Sequence, residues 1–189
     1  MVIGIYGKSG SGKSTLCEYL KKKGFHIIDA DKIGHTILKK GNEGYFAVLE
    51  TFGKDFLCEN SEIDRKKLGS YVFQNNKGDL LSKITHPIIT EYIEAETKKA
   101  KEKNLSVVID AALLCNTPIK NICDILIMIK SDRCIERITK RDGITENSAE
   151  DRLRNQNISE NADFVIENNG TLTELYTKTD EILKGLNII

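Results

Sequence analysis

The chain has 189 residues, with 28 basic and 28 acidic side chains, so its formal net charge at neutral pH is zero. This length suits one α/β domain with a small inserted subdomain. A balanced charge gives no general attraction to nucleic acid or to an anionic membrane. No apolar run approaches the ~20 residues of a membrane helix. We therefore expect a protein that binds neither nucleic acid nor membrane, and any anion site must be local.

The cysteines indicate a reducing compartment. There are five, none in C-x-x-C spacing and none with a histidine at a metal-ligand interval: Cys17, Cys58, Cys115, Cys123 and Cys134. An odd, scattered set is typical of free thiols. The chain also lacks a signal-peptide pattern at its start. These features favour a cytoplasmic location.

Apolar runs alternate with helical patterns along the chain. Such runs suit buried parallel strands, and right-handed crossovers between them build a doubly wound sheet. The predicted fold class is therefore α/β, with a five-stranded parallel sheet. The predicted strands are Val2–Tyr6, Phe25–Asp29, Ser106–Ile109, Ile125–Ile129 and Phe164–Ile166.

Residues 7–14 read Gly-Lys-Ser-Gly-Ser-Gly-Lys-Ser and fit the phosphate-loop pattern G-x-x-x-x-G-K-[ST]. The loop follows a predicted strand and precedes helical spacing, so it predicts an ATP and Mg²⁺ site rather than an incidental glycine-rich turn. We expect Lys13 to reach the β- and γ-phosphates, Ser14 to bind Mg²⁺ and Thr15 to donate its N–H to the α-phosphate. The predicted nucleotide-binding residues are Ser9, Gly10, Ser11, Gly12, Lys13, Ser14 and Thr15.

Two short strings match GTPase patterns by letter, at 31–34 (D-x-x-G) and 76–79 (N-K-x-D). The first comes too soon after the phosphate loop to leave room for a switch segment. The second follows helical spacing, so no strand end presents it to a base. The sequence therefore favours a kinase over a GTP-dependent switch.

Carboxylates follow two of the predicted strands. In an open α/β sheet, ligands lie beyond the carboxyl ends of the strands. Asp29 and Asp31 come at the end of the second strand, and we expect Asp31 to accept the proton of an acceptor hydroxyl; it also suits a helix N-cap. Asp110 follows the third strand, where it suits either a water on Mg²⁺ or a cap of the next turn.

Arginine is concentrated in one window. The chain has 22 Lys and six Arg, and five of these six are Arg133, Arg137, Arg141, Arg152 and Arg154. Arginine suits bidentate contact with phosphate. The first three share a helical face by their i, i+4 spacing. We expect a lid in which Arg137 and Arg141 contact the phosphates of ATP; the alternative is a solvated helix face.

The remaining patterns place helices. Residues 40–86 show helical spacing without a clear strand, which predicts a helical insertion. Pro87 is expected to open the following helix, where its missing N–H costs nothing. Thr145 is expected to cap a further helix within Asp142–Asn155.

Taken in chain order, these motifs resemble those of the dephospho-CoA kinase family over nearly the whole chain. The P-loop alone is shared by many families, but the Asp-Ala-Asp, His-Pro-Ile and Asn-Asn-Gly segments in this order are much more specific. The matching segments are residues 10–15, 28–35, 63–65 with 68 and 72–73, 86–89, 137 with 141–142, 156, 162–166 and 168–170.

The resemblance implies transfer of the γ-phosphate of ATP to the ribose 3′-hydroxyl of dephospho-CoA. It implies Asp31 as the base, Arg65 and His86 near the acceptor, and Asn168 near the adenine. Asp110, Lys13, Arg137 and Arg141 complete the expected substrate and catalytic set. It also implies three parts: a nucleotide core (1–35, 87–135 and 160–189), a helical acceptor-side insertion (36–86) and a lid (136–159).

The chain departs from the family pattern in two places. Lys8 and Ser9 replace a glycine and an aliphatic residue inside the loop. Residues 112–116, Ala-Leu-Leu-Cys-Asn, replace Pro-Leu-Leu-aromatic-Glu, so the acidic residue is missing. Two other hypotheses therefore stay open: a kinase for another small molecule, such as a nucleoside monophosphate, and a module that senses ATP without transferring phosphate. The sequence does not fix the oligomeric state.

Overall fold

A computed structural model describes residues 1–112, 114–156 and 158–188. Within these residues, five strands form one parallel sheet in the order β2-β3-β1-β4-β5. The strands are β1 (Val2–Tyr6), β2 (His26–Asp29), β3 (Val107–Asp110), β4 (Ile125–Lys130) and β5 (Phe164–Glu167). The helices are α1 (Lys13–Lys22), α2 (Ala30–Ile37), α3 (Glu43–Phe52), α4 (Arg65–Gln74), α5 (Gly78–Glu102), α6 (Cys134–Asp142), α7 (Glu146–Arg154) and α8 (Leu172–Gly185).

The predicted α/β class and all five predicted strands are confirmed, each within one residue at either end. The strands form because their side chains are apolar on both faces. Every residue of β1 is buried, as continuous apolar runs in parallel sheets require. Ile3 and Ile5 pack in one core with Leu16 of α1 and Leu175 of α8, so these two helices cover one face of the sheet.

The chain divides into two compact units. The first comprises Met1–Asp29 with Thr97–Ile189 and contains the sheet. The second, Ala30–Glu96, is helical and has its own core, in which Val48, Phe56 and Leu68 are buried. The helical segment expected at 36–86 falls within this second unit, and the segment expected as a lid, 136–159, falls within the first.

Three local predictions were tested by the helices. Thr145 caps α7, accepting a hydrogen bond from the Ser148 N–H at 3.3 Å, as expected. The 76–79 string begins in the turn between α4 and α5, at Asn76 with a left-handed backbone. It therefore does not lie at the end of a strand, where it could contact a base. The expectation for Pro87 is wrong, because this residue lies inside α5. Burial of Ile88 and Ile93 on the same helix offsets the hydrogen bond that proline removes.

None of the helices within the described ranges is both long enough and apolar enough to cross a membrane.

Candidate active site

The loop between β1 and α1 has a backbone path that requires glycine at positions that include Gly10 and Gly12. Gly10 has φ of 77°, and a Cβ there would lie 2.6 Å from the Cys134 carbonyl oxygen. Gly12, at the N-cap of α1, has φ of 107°, and a Cβ there would overlap the Asn168 amide nitrogen. Side chains resist this left-handed region, so the glycines allow a tight turn beneath the N-terminus of α1.

Two side chains from distant segments hold the carbonyl groups of this loop. Arg137 of α6 donates from Nη1 to the carbonyls of Gly10 and Ser11, each at 3.2 Å, and from Nη2 to the Asn168 carbonyl at 3.0 Å. The buried Asn168, which follows β5, donates from Nδ2 to the Ser11 carbonyl at 2.7 Å. With its carbonyls turned outward onto these donors, the loop can turn N–H groups toward a ligand.

A third side chain holds the outer turn of the loop. The Ser9 N–H donates to Gln156 Oε1 at 2.8 Å, and Gln156 Nε2 donates to Ser9 Oγ at 2.9 Å. Both polar ends of the Gln156 amide are therefore used on one loop residue. Gln156 lies two residues beyond α7, so α6 and α7 are both tied to the loop.

Carboxylates lie at the same edge of the sheet. Asp29 ends β2 and Asp110 ends β3, and the two residues are paired in the strand register. The loop leaves from the end of β1, which neighbours β3.

Burial raises the pKa of the Cys17 thiol on α1, and the charge of Asp110, which also accepts a hydrogen bond from the thiol, raises it further. Lys13 acts on the same pKa in the opposite direction, so lysine, thiol and carboxylate form one cluster.

The residues present fit a polyphosphate. Lys13 Nζ donates to the carbonyls of Gly7 at 2.9 Å and Lys8 at 3.3 Å, which holds its ammonium over the loop. The first turn of α1 carries no acidic residue, and its N-cap, Gly12, has no side chain that could cap it. The buried Ser11 hydroxyl finds no hydrogen-bond partner among the described residues. A cation, a helix N-terminus and a spare hydroxyl together suit an anion.

Magnesium needs few protein ligands when a nucleotide supplies phosphate oxygens. Ser14, exposed in the first turn of α1, and Asp110 are the residues at this edge that suit it. In the described part of the chain, no three His, Cys, Asp or Glu side chains gather as a metal cage of their own.

The other predicted lid arginines have different partners. Arg133, at the N-cap of α6, pairs with Glu136 at 2.9 Å. Arg141 pairs with the neighbouring Asp142 at 2.7 Å, and Arg152 binds the same carboxylate at 2.7 Å. This pairing lowers the pKa of Asp142. Of the two arginines expected at the phosphates, Arg137 thus contacts the loop itself, and Arg141 contacts Asp142.

The predicted acceptor-side residues lie in the helical unit. Asp31 is exposed in the first turn of α2, two residues beyond the end of β2. Arg65 is the exposed first residue of α4, whose N-cap Asp64 accepts from the Lys67 N–H at 2.9 Å. His86 is half-buried within α5, and burial lowers its pKa, which favours the neutral imidazole.

The segment that departs from the family pattern lies after β3. Leu113 falls outside the described residues. Leu114 and Cys115 are buried, and the Cys115 thiol donates to Asn116 Oδ1 at 3.4 Å. The position of the missing acidic residue is therefore held by an amide that accepts from the preceding thiol.

Two residues of this site were not predicted as functional. Cys17 stands four residues after Lys13, and that helical spacing places both side chains on one face of α1. Gln156 belongs to a matched motif, but no local pattern connects it to Ser9, which lies 147 positions earlier.

A phosphate loop after the first strand of a five-stranded parallel sheet, with carboxylates ending the neighbouring strands, defines the class of P-loop kinases. Comparison with known proteins gives the particular family. The family model described as dephospho-CoA kinase matches residues 1–174, and this chain belongs to that family.

Individual relatives agree with this assignment. The chain is 36% identical to a dephospho-CoA kinase of Bacillus cereus over 100% of this chain and 98% of the relative. It is 38% identical to one of Lactobacillus johnsonii, covering 97% of each. The solved structure of dephospho-CoA kinase from Campylobacter jejuni has a TM-score of 0.69 at 28% identity, covering 97% of this chain and 98% of that one.

Proposed function

We propose that this chain transfers the γ-phosphoryl group of ATP to the ribose 3′-hydroxyl of dephospho-CoA, giving coenzyme A and ADP. The observation that carries the proposal is the loop 7–15, held by Arg137, Asn168 and Gln156, in a chain whose family match spans residues 1–174. Its five cysteines, all free thiols, support a cytoplasmic site of action.

On the nucleotide side, we assign the loop residues 9–15 to the phosphates. The donors would be the N–H groups of Gly10 and of residues 12–15, because the Ser9 N–H donates to Gln156 and the Ser11 N–H donates to the Lys8 carbonyl. Lys13 would neutralise the charge that develops on the β- and γ-phosphates, and its bonds to Gly7 and Lys8 support this placement. Ser14 and Asp110 would hold Mg²⁺, which supplies charge stabilisation to the transferred group. Asn168 stabilises the loop by donating to the Ser11 carbonyl, and we expect it to lie near the adenine.

On the acceptor side, we assign Asp31 as the base that takes the proton from the acceptor hydroxyl. Such a group contributes roughly 10²–10⁴-fold to the rate. Arg65 and His86 would orient the acceptor. A neutral His86 accepts or donates a hydrogen bond without adding charge, which its lowered pKa supports. Arg141 would approach the transferred phosphoryl group, whereas Arg137 would act by holding the loop carbonyls.

The experiment is an acceptor-dependence assay. Purified protein is given Mg-ATP with dephospho-CoA, with each nucleoside monophosphate, or with no acceptor, and ADP release is followed by a coupled assay. We expect release with dephospho-CoA alone, with coenzyme A as the product by mass spectrometry. Lys13→Ala serves as the inactive control. Release only with nucleoside monophosphates, or ATP binding without any acceptor-dependent turnover, would overturn the proposal in favour of the two other hypotheses.

A further inference from the structure

The contact between Gln156 and Ser9 uses both hydrogen-bonding ends of a side-chain amide. The carbonyl accepts from the Ser9 main chain at 2.8 Å, and the NH₂ group donates to the Ser9 hydroxyl at 2.9 Å. If this amide turned by half a turn, its NH₂ group would face the Ser9 N–H and that bond would be lost, whereas the Ser9 hydroxyl could still donate to the amide oxygen. The orientation of Gln156 is therefore fixed by one residue of the phosphate loop.

Ser9 lies outside the part of the loop that Arg137 and Asn168 contact. Arg137 and Asn168 hold the carbonyls of Gly10 and Ser11, nearer α1. On the outer turn, the Ser11 N–H donates to the Lys8 carbonyl at 3.1 Å, which closes a tight turn around Ser9. Gln156, from outside the loop, accepts a hydrogen bond from the Ser9 N–H at the tip of this turn.

The second bond depends on the hydroxyl of Ser9. An aliphatic residue at position 9 would keep its N–H but would leave the Gln156 NH₂ group without this acceptor. Each such bond contributes a modest net free energy, and leaving a part-buried donor unpaired costs more than the bond itself gains. The Ser9 hydroxyl and the Gln156 amide therefore act as one unit.

We propose that Gln156 is a positioning residue that holds Ser9 and thereby preorganises the phosphate loop for the triphosphate of ATP. This proposal rests on the proposed function for the identity of the nucleotide. A loop held in its binding conformation avoids the ordering cost that a free loop would meet on binding. Because Gln156 follows α7, the same contact couples the predicted lid segment, 136–159, to the loop.

The test compares four variants with the wild-type chain: Gln156→Leu, Ser9→Ala, the double variant, and Asn155→Ala as an exposed neighbouring control. Mg-ATP affinity is measured by calorimetry without any acceptor. Losing both bonds should weaken ATP binding by roughly tenfold in Gln156→Leu, and losing one by roughly threefold in Ser9→Ala. The double variant should bind no more weakly than Gln156→Leu, and Asn155→Ala should match the wild type.

A kinetic measurement separates positioning from general stability. With dephospho-CoA as acceptor, Gln156→Leu should raise the KM for ATP by the same factor, while kcat at saturating ATP stays within about twofold, because bound nucleotide restores the loop. Unchanged ATP affinity in both single variants, or independent effects that multiply in the double variant, would overturn the proposal. Should Gln156→Leu fail to fold, Ser9→Ala alone must still show its threefold loss.

Failure of the proposed function gives a different result. If the wild type binds Mg-ATP but dephospho-CoA gives no turnover, the assignment of the acceptor is wrong. The calorimetric comparison of the variants needs no acceptor, so it still decides the role of Gln156.

Discussion

Replacing Arg137 by alanine should destabilise the nucleotide-free protein far more than replacing Arg141. Arg137 donates to three main-chain carbonyls, those of Gly10, Ser11 and Asn168, at 3.0–3.2 Å. Hydrogen bonds from a charged donor contribute roughly 1.5–3 kcal/mol each to stability. The bonds of a half-buried guanidinium contribute less than this, because solvent screens the charge. At about 1 kcal/mol for each bond, we expect a loss of about 3 kcal/mol. For a chain of this length, that lowers Tm by roughly 6–12 °C.

Arg141 provides the matched comparison, because it lies on the same helix and pairs with the exposed Asp142. Exposed ion pairs contribute little, so Arg141→Ala should leave Tm nearly unchanged. Arg137→Lys should recover at most one of the three bonds, since an ammonium lacks the planar fork of guanidinium. Thermal and urea unfolding without nucleotide measure all three variants. Equal effects of the two alanine variants would refute the claim that Arg137 holds the loop.

Three further predictions concern other parts of the chain. Gly10→Ala should lower the free energy of unfolding by more than the roughly 1–2 kcal/mol of a left-handed alanine, because its Cβ meets the Cys134 carbonyl. Gly143→Ala is the control: Gly143 has φ of 66° and open space around it, so urea unfolding should show the backbone cost alone. Asp31→Asn should leave ATP affinity nearly intact and lower kcat by ~10²-fold or more, and normal turnover would exclude a base at this position. Burial lowers the pKa of His86 in the folded state, so stability falls as pH drops below the ordinary histidine pKa of about 6.5; His86→Gln should lose less stability than the wild type between pH 7.5 and pH 5.5.

The sheet could be predicted from the sequence because its signal is local. A run such as Val2–Tyr6 is apolar on both faces, and it is buried on both faces in the structure. The phosphate loop could equally be predicted from its sequence, because its glycines are needed where φ is positive and a Cβ would overlap a neighbour. Pro87 was misplaced because proline usually starts helices, and packing of α5 overrides that preference.

The partners of the loop could not be predicted, because they depend on contacts between distant segments. Helical spacing places Arg137 and Arg141 on one side of α6, but it does not say which of them lies over the loop. In the structure, Arg141 pairs with Asp142, whereas Arg137 donates to the carbonyls of Gly10 and Ser11, which lie 127 and 126 positions earlier in the chain. Gln156 and Ser9 are likewise joined only by the fold.

Calorimetric titration of Mg-ATP into the wild-type chain and into Lys13→Ala is the most direct test of the phosphate loop as the nucleotide site. We expect one ATP bound per wild-type chain and binding at least tenfold weaker in the variant, since Lys13 supplies the cation that the loop holds over its carbonyls. No heat of binding in the wild type, or equal affinity in the two proteins, would contradict the assignment of this loop as the site of phosphate binding.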